Sequence, residues 1–173
     1  MSFDFDVVEL EVSEHPTVGE TAPDFTRPLV TDESWADASL SAFDAPILLV
    51  FYPMNGSFPA TYIWNELRDR EVDQYGTVLG VSISTPYAHK RFIDSHDLDS
   101  TSFRLFSDPT NEIAEQYGVS HDLDGMAGLS EPRPAVFVIG DDHTIDYAWA
   151  ATEWPEFPDY DAVEQAFAEA GPD

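Results

Sequence analysis

Ala45-Pro46-Ile47-Leu48-Leu49-Val50-Phe51-Tyr52-Pro53 is the stretch on which the fold turns. A six-residue apolar run between two prolines is too short for a helix and predicts a strand buried on both faces, at the centre of a sheet. Thr77–Ile83 and Ala135–Ile139 are similar runs with β-branched residues, and Thr144–Trp149 alternates as a strand with one wetter face. Phe103–Phe106 reads as a shorter strand. Helical spacing appears in Ile63, Trp64 and Leu67, followed by Arg68, Asp69 and Arg70. It recurs in Ile113, Ala114 and Tyr117, after the start signal Ser107-Asp108-Pro109, and in Val163, Phe167 and Ala170, ahead of Gly171-Pro172. Pro86–Ser95, with Phe92 and Ile93, is a weaker fourth helix. Strand and helix alternate and then give way to a strand pair around Asp141-Asp142-His143, which predicts an α/β fold with a mixed central sheet flanked by helices. No repeat and no Gly/Ser-rich linker divides the chain, so residues 1–173 are expected to form a single domain.

The 173 residues carry 34 Asp and Glu against 7 Lys and Arg, a formal charge of −27, and Lys90 is the only lysine. A charge of that sign repels phosphate backbones and anionic lipid, so neither nucleic acid nor membrane is an expected partner. The acids run from Asp4 to Asp173 without forming a tail, as a solvated surface would carry them. At molar salt the Debye length falls to about 3 Å and their self-repulsion is screened, so the composition reads as that of a halophile with a salt-rich cytoplasm. A calcium binder would need a D-x-D/N-x-D/N-G loop, which the chain lacks, and a nucleic-acid mimic would need its acids regularly spaced on one face. The opening Met1-Ser2-Phe3-Asp4-Phe5-Asp6 has no basic, apolar leader, and a cytoplasmic location is expected.

The chain has no cysteine, which excludes disulfides, thiolate catalysis, iron–sulfur ligation and cysteine zinc sites. His15, His89, His96, His121 and His143 are scattered, with no HExxH or i, i+4 pair, so neither a metal nor a cofactor is expected. His121-Asp122-Leu123-Asp124 could offer three ligands from one loop, but in so acidic a chain a His beside Asp residues arises by chance.

Four blocks, in order, resemble the peroxiredoxins of the alkyl hydroperoxide reductase and thiol-specific antioxidant (AhpC/TSA) group, which share the thioredoxin fold. Gly19-Glu20-Thr21-Ala22-Pro23-Asp24-Phe25 resembles that family's G-x-x-A-P-D-F opening. Leu40-Ser41-x-Phe43 and Phe51-Tyr52-Pro53 resemble the lead into its active site, Ser107-Asp108-Pro109 with Tyr117-Gly118-Val119 its S-D-P…Y-G-V helix, and Phe137-Val138-Ile139 its F-V-I-D strand. The similarity runs from about Val18 to Ala170 and implies a thioredoxin-like fold.

The resemblance also locates what is missing. The family's P-x-x-x-(T/S)-x-x-C motif places a peroxidatic cysteine in the first turn of a helix, where the helix N-terminus favours thiolate. Here Pro53 and Ser57 keep their places, but Ala60 stands at the cysteine position. Asn65 stands where one subgroup carries a resolving cysteine, and Arg68-Asp69 matches the F-R-D sequence that follows it. Of the R-x-x-F-V-I-D signature, Pro134 occupies the Arg position, with Arg133 one residue early and Gly140 in place of Asp. The resemblance leaves open whether Arg133 reaches the pocket, and Pro134 resembles the cis-proline of other thioredoxin folds, so Arg133–Pro134 is expected to be cis.

Peroxide reduction in this family requires a thiolate, and the methyl of Ala60 cannot supply one. Ser57 has no histidine within a few residues to act as base and reads as an N-cap or buried hydroxyl, while Met54 reads as packing. Trp149, Trp154, Phe157 and Tyr160 are expected to cover the sheet edge or form a dimer contact. The degenerate pocket of Pro53, Ser57, Ala60 and Arg133, with Asn65 at the vacant resolving position, therefore points to a non-catalytic relative that binds or assembles, as a homodimer or with an active peroxiredoxin. A thioredoxin-dependent peroxide reductase whose cysteines had been replaced would read the same at these positions, though two different replacements beside an atypical Pro134 speak against it. An enzyme using Ser57, Asn55 and Arg133 on a small anion is the third reading.

Overall fold

The apolar run after Pro46 becomes a strand whose successive side chains serve two cores. The computed structural model describes residues 8–31, 34–98, 102–121, 128–154 and 156–170. In chain order the elements are β1 (Val8–Glu9), β2 (Thr26–Val30), β3 (Trp35–Ser39), β4 (Ile47–Phe51), α1 (Phe58–Asp69), β5 (Thr77–Ser82), α2 (Pro86–Ser95) and β6 (Phe103–Ser107). There follow α3 (Glu112–Gln116), β7 (Ser120–His121), β8 (Glu131–Pro132), β9 (Ala135–Ile139), β10 (Ile145–Ala150), β11 (Glu153–Trp154) and α4 (Tyr160–Glu169). Seven strands form one mixed sheet in the order β10-β9-β4-β5-β6-β2-β3. β4, β5 and β6 run parallel, as strands joined by helical crossovers do, and the outer neighbours run antiparallel.

All five residues of β4 are buried. Ile47, Leu49 and Phe51 point into one core with Phe25, Phe106, Ile113, Tyr117 and Phe137. Leu48 and Val50, with Tyr52 just beyond, point into the other, beneath α1, α2 and α4, with Ile63, Trp64, Phe92 and Phe167. This period of two explains why the strand reads as an unbroken apolar run, and burying each aliphatic side chain contributes about 1.5–3 kcal/mol.

Gly80 in β5 fixes how closely α1 approaches. A Cβ there would stand 2.5 Å from Cζ2 of Trp64 and 2.6 Å from Cδ2 of Leu105. The absence of a side chain therefore lets the indole settle onto the sheet, and it is fully buried. Its Nε1–H has no hydrogen-bond partner among the described residues, so the residue is held by packing alone.

The expected strands, the four helices and the hairpin turn at Asp141–His143 all appear, with ends displaced by a few residues. Ser107 closes β6, and Asp108 serves α3 from outside, its Oδ2 accepting a bond from Ile113 N at 2.7 Å. The hairpin of β2 and β3 was not anticipated. Pro28 interrupts β2, and Trp35, Ala36 and Asp37 of β3 are exposed, so neither strand carries an apolar run.

Candidate functional site

β4 delivers the chain to a tight turn before α1. Gly56 takes the left-handed conformation at φ 83°, which favours glycine. Ser57 has the extended backbone of an N-cap, but its hydroxyl does not cap the helix. Instead the Ser57 Oγ donates to Met54 O at 2.6 Å, and the Ser57 N–H donates to the same carbonyl at 3.2 Å. Pro59 lies in the first turn, where the lack of an N–H costs nothing. Ala60, the third helical residue, is fully buried among Tyr52, Ile63 and Trp64. Asn65 is half-buried further along α1. At the helix end, Arg68 holds Asp69 at 3.0 Å and donates to His96 O at 2.6 Å, tying α1 to the end of α2.

Arg133 is buried, and its Nη1 donates to Glu11 O at 2.7 Å and Ala151 O at 3.2 Å. Burial pulls the guanidinium below its ordinary pKa, with Glu11 opposing that shift. Arg133 thus joins the N-terminal segment to the end of β10, and its bonds go to backbone carbonyls rather than to Ser57 or Asn55. The expected cis bond at Arg133–Pro134 is overturned: that peptide is trans, and the cis X-Pro bond lies at Ala45–Pro46. Around Pro134 the backbone is already paired in an extended path, since Arg133 N donates to Val119 O at 2.8 Å and Pro134 O accepts from Ala151 N at 2.9 Å.

A buried polar chain adjoins this turn that sequence reasoning had missed. The Tyr52 hydroxyl donates to Asn55 Oδ1 at 2.9 Å, Asn55 Nδ2 lies 3.0 Å from His89 Nδ1, and His89 Nε2 lies 3.0 Å from Phe106 O. Because a carbonyl only accepts, His89 carries its proton on Nε2 and accepts at Nδ1. Burial pushes its pKa down to about 4, against the pull of the Phe106 carbonyl, so the ring is neutral at pH 7. Burial likewise raises the Tyr52 phenol. The available signal was position: His89, Phe92 and Ile93 form one i, i+3, i+4 stripe, so the histidine sits on the apolar face of α2.

Among the described residues, no group of three His, Asp or Glu side chains is placed to hold a metal ion. In the loop considered for that role, Asp122 and Asp124 lie outside the described residues. Of the aromatic cluster, Trp149, Phe157 and Tyr160 pack against the core under α4, and the side chain of Trp154 is outside the description. Phe157 meets Phe58 and Tyr62 of α1 at 5.8 and 5.9 Å between ring centres.

A profile of the AhpC/TSA family matches residues 18–148. The chain belongs to the AhpC/TSA family. Within that family it is similar to the chloroplastic 2-Cys peroxiredoxin BAS1 of Spinacia oleracea, 30% identical over 129 residues that cover 69% of this chain and 49% of the relative. It is also similar to the thiol peroxidase of Staphylococcus saprophyticus, 27% identical over 150 residues, 86% of either chain. The chain thus spans about half the length of the chloroplast relative and most of the bacterial one. Peroxidoxin BcpB from Mycobacterium tuberculosis shares the fold, with a TM-score of 0.73 at 23% identity over 91% of this chain and all of that one. The AhpC/TSA chain described here therefore has the thioredoxin-like architecture and no cysteine. No helix among its described residues is long and apolar enough to cross a membrane.

Proposed function

We propose that this AhpC/TSA chain is a non-catalytic relative of the thiol peroxidases that uses the fold for binding or assembly. Pro53, Ser57, Ala60 and Arg133 are the remnant of the peroxidatic pocket in this reading, and Asn65 marks the vacant resolving position. The observation that carries it is Ala60, a methyl group fully buried in the first turn of α1. Peroxide reduction requires a thiolate to attack the O–O bond, forming S–O while alkoxide or hydroxide leaves, and a methyl has no electron pair to offer. Ser57 does not replace it. Its hydroxyl is engaged by Met54 O, and the nearby histidine, His89, is buried with both ring nitrogens in use.

A binding role has support on the outer face of the same helix. Phe58 and Tyr62 are 43% and 56% exposed and lie 4.9 Å apart between ring centres, the kind of aromatic surface that interfaces enrich. The occupant in this reading is a second copy of the chain or an active peroxiredoxin. The decisive measurement is peroxide consumption with a thioredoxin system in molar salt, comparing the natural chain with Ala60→Cys. The natural chain should not turn over, and turnover by it would overturn the proposal. Activity confined to Ala60→Cys would show that the pocket lacks only its nucleophile.

A further inference from the structure

Of the seven cationic side chains, five are engaged. Arg27 pairs with Asp108 and Glu112, Arg68 with Asp69, and Arg70 with Glu66 and Asp161. Arg104 lies over the Phe43 ring and has a further partner, and Arg133 holds two carbonyls. Lys90 and Arg91, adjacent on α2, have no ion pair or hydrogen bond among the described residues, although the chain carries 34 acids. Both line an open groove of about 950 Å³ between α2 and the Asn55–Gly56 turn. Across it, nothing lies within 4 Å of where a Gly56 side chain would begin, which leaves the backbone there approachable. His96, stacked at 3.9 Å over the buried Phe92, forms an aromatic wall, and Asp94 is the one carboxylate on the lining among the described residues.

Such a groove fits one class of ligand. An anionic macromolecule must lie along the surface within a Debye length, about 8–10 Å at 0.1–0.15 M salt, where the net charge of −27 repels it. A small anion inside the groove instead lies within reach of two local cations that no acid among the described residues pairs. The Arg fork suits two oxygens of one phosphate or carboxylate, and Lys adds a point charge beside it. A volume of this order accommodates a whole small molecule. We infer that the groove is a binding site for a small phosphate- or carboxylate-bearing molecule, its anionic group held by Lys90 and Arg91 and its flat apolar part against the Phe92–His96 stack. The site lies on α2 and does not depend on the chemistry of residue 60.

The test uses the full chain, labelled with ¹⁵N, titrated at constant ionic strength with inorganic pyrophosphate and, in parallel, with citrate. Saturable shifts are expected at the amides of Gly56, Lys90, Arg91 and Ser95. The probe that saturates at lower concentration identifies phosphate or carboxylate as the preferred group. In the double variant Lys90→Gln/Arg91→Gln binding should weaken roughly tenfold or more, since two charge-assisted contacts are removed from solvent-facing positions without disturbing the core. Asp94→Asn should tighten it a few-fold by removing the like charge. No saturable shift with either probe, shifts that follow ionic strength alone, or equal affinity in the double variant would overturn the inference.

Discussion

The two helices that follow the parallel strands β4 and β5 open alike and do different work. Each takes a proline in its first turn, Pro59 in α1 and Pro86 in α2, after a residue of extended backbone. At α1 the opening is chemically silent: Ser57 leaves the helix uncapped by its side chain, and the buried residue that follows is Ala60. At α2 the Thr85 hydroxyl accepts from Ala88 N at 3.3 Å, and His89, Lys90 and Arg91 come next. A buried histidine and two cations thus gather one crossover further along the sheet, while Ala60 at the start of α1 is part of the core. α1 seats a buried indole on Gly80 and α2 carries a buried histidine, so the two should fail under different perturbations.

The largest expected effect lies on the α1 side. Trp64→Ala should lower stability by about 3–5 kcal/mol in denaturant unfolding, because the indole fills the space above Gly80 and makes no hydrogen bond among the described residues to compensate. A loss below about 1 kcal/mol would show that packing does not position α1. The next concerns pH. His89 is held at about 4 in the fold against an ordinary value of 6.5, so between these values the unfolded chain binds more protons and the folded state loses stability as pH falls. The contribution is fully present above pH 6.5 and amounts to roughly 3 kcal/mol, lost progressively toward pH 4. Because the many carboxylates also titrate in this range, the quantity to follow is the difference between the natural chain and His89→Gln. That difference should shrink as pH falls, and a constant difference would remove His89 from the account. The smallest effect compares the caps: Thr85→Ala should cost about 1 kcal/mol and Ser57→Ala no more than that, since only Thr85 serves a helix N–H. A larger loss at Ser57 would reverse the contrast.

What the sequence showed, and what it hid, follows from range. β4, β5 and β9 were legible because burial on both faces writes an unbroken apolar run, and α1 because Ile63, Trp64 and Leu67 keep helical spacing on one face. β2 and β3 were hidden because pairing across Arg27–Ala38 and Leu29–Ala36 stabilises residues with little apolar pattern of their own. The position of Ala60 in a first helical turn was what the resemblance to the P-x-x-x-(T/S)-x-x-C motif implied, a local pattern starting at Pro53. The Tyr52–Asn55–His89 chain did not, because it joins residues 34 to 37 positions apart. The path of Arg133 to Glu11 spans 122 positions and was equally out of reach, as was the geometry of the bond to Pro134.

The indole resting on Gly80 acts as a locating pin between helix and sheet. With the axis of α1 fixed from its inner side, Phe58, Tyr62 and Asp69 face outward and are exposed. A lineage could rewrite them to suit a new associate while the frame beneath stayed still, so a change of partner on this face need not touch the core.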